Sequence, residues 1–156
     1  MSGVRFTNGV MLGRSENTMK TVIVFEPDCA LRALYKEELE HEGYNIYLSK
    51  NDREALAMLK QRTIDILITE YQLNPTETYS TVLNFARELK KIPVIILTNH
   101  PRGLIECEWW GEIEYVSKMS NLDALKITMK GLLDYKGYVD KFYKSQKSLK
   151  QQELYL

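Results

Sequence analysis

The 156-residue chain has only two cysteines, two histidines and no net formal charge. Cys29 and Cys107 are too few for a disulfide framework, and two histidines supply little of a metal cage. With 21 basic residues against 21 acidic ones, no global field draws the chain to nucleic acid. No apolar run nears the ~18 residues that cross a bilayer, and the N-terminus lacks the basic, apolar, small-residue order of a secretory signal. These absences point to a cytoplasmic domain working without membrane or nucleic-acid contact. A hydrophobic content of 44% is ample for the core of one domain.

Residues 1–18 contain three glycines and hold no sustained period, so a flexible extension is expected there. A compact unit then runs over 19–136. "KTVIVFEP" is a buried, β-branched strand closed by Glu26 and Pro27. From Asp28, Leu31, Leu34, Tyr35 and Leu39 recur at helical spacing, and Gly43 stops the helix. "NIYLS" is a short strand, followed by a helix over "NDREALAMLKQR" with Asn51 or Asp52 as N-cap. "TIDILITE" is a second apolar strand, "STVLNFARELKK" a third helix and "IPVIILTN" a third apolar strand. A weak helical pattern in "RGLIECEWW" precedes a last strand in "EIEYVSK" and a helix in "NLDALKITMKGLLDYK".

Strand and helix alternate five times, and the strands are nearly continuous apolar runs. That pattern predicts an α/β fold with a doubly wound, five-stranded parallel sheet. Ligands of such sheets sit beyond the carboxyl ends of the strands. The residues there are Glu26, Glu70, Thr98 and Lys118, so two acids, a hydroxyl and an ammonium are expected at one rim.

At this point the chain resembles the receiver domain of bacterial response regulators, from about Lys20 to Lys136. The resemblance runs through "VIVFEPDCALRALYKEELEHEGY", "IDILITE", "PVIILTNH" and "GEIEYVSK". It implies the flavodoxin-like (βα)5 arrangement with a C-terminal helical extension, and a place in two-component signal transduction rather than an enzyme's role. In that family an aspartate at the end of the third strand accepts a phosphoryl group from a histidine kinase, and an acidic pair after the first strand holds Mg²⁺. A Thr or Ser and a Lys contact the phosphoryl oxygens, and an aromatic changes rotamer on activation. Thr98, Lys118 and Tyr115 match those last three positions.

Other positions depart from the pattern. Glu70 stands at the phosphoacceptor position. Glu26 matches the first acid of the pair, but Pro27 takes the second place, and the neighbouring Asp28 is better suited to capping the first helix. Pro75 is displaced by one position, with Asn74 and Thr78 at the steps where the family has proline and glycine. Asn99 replaces a small residue. Met119 replaces the proline after Lys118, so the family's cis bond is not expected there, since a non-proline cis peptide costs about 2.5–4 kcal/mol. Mg²⁺ needs near-octahedral oxygens at about 2.0–2.1 Å, and phosphoryl transfer depends on that metal and on positioning. No cofactor is therefore expected; were Mg²⁺ to bind, Glu26, Asp28 and Glu70 are the ligands available.

The expectation is a stand-alone atypical receiver, a pseudo-receiver, acting through protein–protein contacts. Glu70 either holds an active-like conformation through its negative charge or simply pairs with Lys118 in a site that no longer switches. A functional phosphoacceptor receiver of a phosphorelay, with a histidine kinase upstream, is the second reading. A flavodoxin-like nucleotide-binding enzyme is the third, opposed by the absence of a glycine-rich loop after the first strand, where "FEPDCALR" stands. The expected partner is a signalling protein or a second copy, met through the fourth helix, fifth strand and fifth helix. Trp109 and Trp110 lie beside that face, one suited to the core and one to an interface. Tyr115 is a switch aromatic or a packed strand residue. Cys29 and Cys107 are quiet thiols, and His100 is a surface residue. The segment 137–156 is a basic amphipathic tail in which Phe142 and Tyr143 form part of an apolar stripe. It binds a partner or packs on its own domain.

Overall fold

The computed structural model describes residues 6–7, 10–11, 18–72, 74–99, 113–118 and 122–135. His100, Cys107, Trp109, Trp110, Met119, Gly137, Phe142 and Tyr143 lie outside them, as does the helical pattern in "RGLIECEWW".

Five strands form one sheet: β1 (Thr21–Phe25), β2 (Asn45–Ser49), β3 (Ile66–Glu70), β4 (Val94–Thr98) and β5 (Ile113–Ser117). They lie in the order β2-β1-β3-β4-β5 and pair in parallel throughout. This is the doubly wound flavodoxin-like order, with its switch point between β1 and β3. Registers such as Val24↔Ile68 and Leu67↔Val94 bring the carboxyl ends of the strands to one edge.

Strand alternation divides the interior in two. Val22, Val24, Ile66, Ile68, Ile95 and Leu97 face one way, where they meet Tyr35, Leu39, Leu125 and Met129. Ile23, Phe25, Leu67, Val94 and Ile96 face the other, against Leu59, Tyr79, Val82 and Ala86. Because both faces are covered, the strands read as unbroken apolar runs rather than alternating ones. Helix α1 (Cys29–His41) and the last described helix, 123–135, cover the first face, tied by Lys126 to Glu38 at 2.8 Å and to Glu42 at 3.3 Å. Helices α2 (Asp52–Gln61) and α3 (Glu77–Asn84) cover the second.

The helix starts follow local hydrogen-bond chemistry. Asp28 accepts from the Leu31 N–H, Asn51 from Glu54 and Thr76 from Tyr79, each binding an otherwise unsatisfied donor of the first turn. After α1, Gly43 takes φ +93°, which a side chain rarely tolerates. Three expectations need correction. Leu34 sits at the edge of the α1 stripe and is exposed, whereas Tyr35 and Leu39 are buried. The third helix begins at Glu77, not Ser80, because the Thr76 hydroxyl caps it there. It also does not continue as α-helix to Lys91: Phe85–Leu89 widens into a π-turn, in which the Lys90 N–H reaches back to the Phe85 carbonyl at 3.0 Å.

Near the N-terminus, Phe6–Thr7 pairs antiparallel with Val10–Met11.

Candidate functional site

Glu26 follows β1, Glu70 ends β3, Thr98 ends β4 and Lys118 follows β5. Pairing between β4 and β5 continues one step past the strands, where the Lys118 N–H donates to the Thr98 carbonyl at 2.7 Å. This bond fixes where the lysine leaves the sheet. Its side chain then crosses the rim to both acids. Lys118 Nζ donates to Glu70 Oε1 at 2.8 Å and to Glu26 Oε2 at 3.0 Å.

The three groups differ in exposure. Glu26 is 2% exposed, the Lys118 side chain 13% and the Glu70 side chain 36%. A buried carboxylate carries a heavy desolvation cost unless it is paired and hydrogen-bonded. Glu26 satisfies this through Lys118 on one oxygen and the Asp28 N–H, at 3.1 Å, on the other. Burial works against the Lys118 ammonium. Its hydrogen bonds to Glu70 and then Glu26 outweigh that, so its pKa lies above the ordinary lysine value.

The surrounding residues hold this arrangement from several sides. Arg32 Nη1 donates to the Glu26 carbonyl at 2.8 Å and to the Pro27 carbonyl at 2.7 Å, pinning the loop after β1. Tyr79, on α3, donates its hydroxyl to the Glu70 carbonyl at 2.8 Å. Its ring packs against Phe25 with centroids 6.1 Å apart. Burial raises the Tyr79 pKa to about 12. Tyr35 is buried beneath the ion pairs, and burial raises its pKa, with Lys118 pulling the other way. Arg32, Tyr35 and Tyr79 were not singled out from sequence. Tyr35 carried only a core signal there, and nothing local linked Tyr79 to Glu70.

The rim therefore gathers Glu26, Glu70, Lys118 and buried Thr98. Asp28 does not join them through its side chain, which is turned to the Leu31 N–H at 2.9 Å as the α1 cap. Tyr115 lies on β5 opposite Ile96, partly buried against the second core.

The donor set does not fit a resident Mg²⁺. The ammonium of Lys118 lies within hydrogen-bond distance of both rim carboxylates, Pro27 offers no side-chain oxygen and Asp28 is committed to its helix. Among the described residues no three His, Cys, Asp or Glu side chains gather as a cation site. A hard cation would have to displace an ammonium that is hydrogen-bonded to two carboxylates.

A sequence profile of the response regulator receiver domain matches residues 22–130. This chain belongs to that family. The receiver is similar to the transcriptional regulatory protein ZraR of Escherichia coli O157:H7, at 22% identity over 121 residues, covering 76% of this chain and 27% of ZraR. It is similar also to CpxR of Escherichia coli K12, at 31% identity over 80 residues, covering 51% of this chain and 34% of CpxR. The chain thus spans about a third or less of these curated relatives. Among solved structures it resembles the response regulator TrrA of Thermotoga maritima, crystallised with Mg²⁺–BeF, at 32% identity and TM-score 0.62. The match covers 73% of this chain and 99% of TrrA. TrrA is known too in complex with the histidine kinase ThkA. Receivers are signalling domains of two-component systems. No helix among the described residues is long and apolar enough to cross a membrane.

Proposed function

We propose that this receiver works in a fixed conformation, as a pseudo-receiver that signals by binding another protein rather than by accepting a phosphoryl group on an aspartate. The observation that carries this reading is the position of Lys118, hydrogen-bonded at once to Glu26 and Glu70. A phosphorylatable rim needs a divalent cation to spread the charge that develops on the phosphoryl oxygens. Here a side-chain ammonium bridges the two carboxylates from within the chain. Glu70 is the phosphoacceptor-equivalent residue, Glu26 is the acid that anchors the lysine, and Thr98, Tyr115 and Lys118 are the switch-equivalent positions. The tryptophans Trp109 and Trp110, with Phe142 and Tyr143, are the proposed contacts for a signalling protein or a second copy.

A second reading has one observation in its favour. The Glu70 side chain is 36% exposed, open enough for a small phosphodonor or a histidine kinase to approach. Intact-mass spectrometry after incubation with Mg²⁺ and acetyl phosphate separates the two, run on the native protein beside Glu70→Asp and Glu70→Gln. The fixed-conformation reading expects no phosphoryl adduct on the native chain. An adduct on the native chain that is absent from Glu70→Gln overturns it and makes the protein a phosphorelay receiver.

A further inference from the structure

Along the last described helix one flank loses its cover before the helix ends. Leu125 is 2% exposed, Leu132 is partly buried against the first core, and Tyr135 is 59% exposed. One turn before Tyr135, on the same flank, Gly131 has no atom within 4 Å of where a Cβ would stand. Another helix therefore has room to approach the backbone there. A glycine inside a helix costs about 1 kcal/mol relative to alanine, and no contact among the described residues offsets it.

The sequence carries this flank onward. Leu132 and Tyr135 open a seam spaced alternately three and four residues apart, which continues through Val139, Phe142, Gln146 and Leu149. Glu153 and Leu156 add a further step, so only two of the eight seam positions are polar. The opposite side holds Lys141, Lys144 and Lys147. A repeat of 3.5 residues kept in phase over such a length belongs to helices that supercoil around one another.

We infer that the segment after Tyr135 prolongs the last helix and pairs in parallel with the same segment of a second copy of this chain. This goes beyond the fixed-conformation reading and does not depend on the state of Glu70. The phase of the seam argues against folding back onto the chain's own domain. It is set by Leu132 and Tyr135 within the described helix and is kept across Gly137, which falls on the outer side. Leu133 is the last residue of this helix in the first core, so a helix that runs on leaves the domain behind. Gln146 argues for a copy rather than an unrelated helix. An amide in the seam needs both a donor and an acceptor, and the same amide of a second copy supplies both. A polar residue at one such position also fixes register. Charge agrees with self-pairing. The flanking positions that meet across a parallel pair are Tyr138 with Tyr143 and Ser145 with Lys150, so the lysines of this basic segment do not oppose one another.

The test is sedimentation equilibrium of the full chain at micromolar concentration. A mass of twice 18.2 kDa is expected. Phe142→Asp with Leu149→Asp should weaken the dimer at least about a hundredfold. Lys144→Gln with Lys147→Gln lowers the net charge by the same amount and should leave it within about threefold. Circular dichroism establishes that each variant is folded. Parallel pairing is read from thiols, with Cys29→Ser and Cys107→Ser as background. Leu149→Cys should form a disulfide-linked dimer in a glutathione redox buffer, whereas Lys147→Cys on the outer side should not. A monomer at every concentration, an equal loss in the lysine variant, or a dimer that survives the two aspartates overturns the proposal. Equal cross-linking at positions 147 and 149 overturns it as well.

Discussion

The hydroxyl of Tyr79 donates to the main-chain carbonyl of Glu70 at 2.8 Å. A residue one turn into α3 thereby fixes the backbone at the end of β3, nine positions earlier in the chain. The same helix is anchored at its start, where the Thr76 hydroxyl donates to Asp52 at 2.7 Å and accepts from the Tyr79 N–H at 3.0 Å. The segment that carries Glu70 is held at both ends.

Replacing Tyr79 by Phe keeps the ring packed on Phe25 and deletes one donor. The expected loss is about 1 kcal/mol of stability in urea denaturation. The absorbance titration at 295 nm should also lose the tyrosine that ionises near pH 12. A native titration with no such late component is the result that argues against the buried hydroxyl.

Lys118→Met leaves two carboxylates, one of them buried, without their shared cation. A destabilisation on the order of 2 kcal/mol is expected, between the limits for exposed and buried pairs. Adding Glu26→Gln and Glu70→Gln to that variant should recover much of the loss, because the uncompensated charge goes with them. Urea midpoints of the three proteins decide the matter.

The same lysine sets a pH window. Its pKa is higher in the folded state than the ordinary 10.5, so the folded protein holds the proton more tightly than the unfolded chain. The stability it contributes is complete below about pH 10.5 and falls as pH rises through the folded pKa. Tyr79 acts in the same direction, since its neutral form persists in the fold to about pH 12 against 10.0 for an ordinary tyrosine. Thermal melts should therefore be level through mildly alkaline pH and decline steeply above pH 10, with a shallower decline in Lys118→Met and in Tyr79→Phe.

Packing predicts a contrast on one helix. Met129 is fully buried on the inner face of the last described helix, whereas Ile127 on the same helix is 73% exposed. Met129→Ala should cost about 2–5 kcal/mol and Ile127→Ala within about 0.5 kcal/mol. A larger loss for Ile127→Ala than for Met129→Ala would mean that the helix packs with the other face inward.

Much of the architecture was legible because its signals are local. Unbroken apolar runs such as "TVIVF" and "VIILT" report strands covered on both faces, and Asp28, Asn51 and Gly43 mark helix ends through their own hydrogen bonds and dihedrals. Asp28 as a cap was equally readable, because a capping carboxylate needs only the N–H three residues later. The π-turn at Phe85–Leu89 was not, since an α-helical period and a π-turn use the same residues over so short a span. The start of α3 was displaced because "TETY" carries few apolar residues, and its cap is secured partly by Asp52, 24 positions away.

By itself the sequence determined which residues end the strands, and hence that Glu26, Glu70, Thr98 and Lys118 meet at one rim. Parallel pairing follows from the βα alternation, whereas the strand order was implied by the resemblance to receivers and is shown by the structure. Only the tertiary structure decided how those groups pair. Lys118 lies 92 positions from Glu26 and 48 from Glu70, and whether its flexible side chain meets one acid, both or solvent depends on local burial. The chain gives residue types and order. The balance between desolvating an ammonium and bonding it to two carboxylates exists only once the fold has brought the three together.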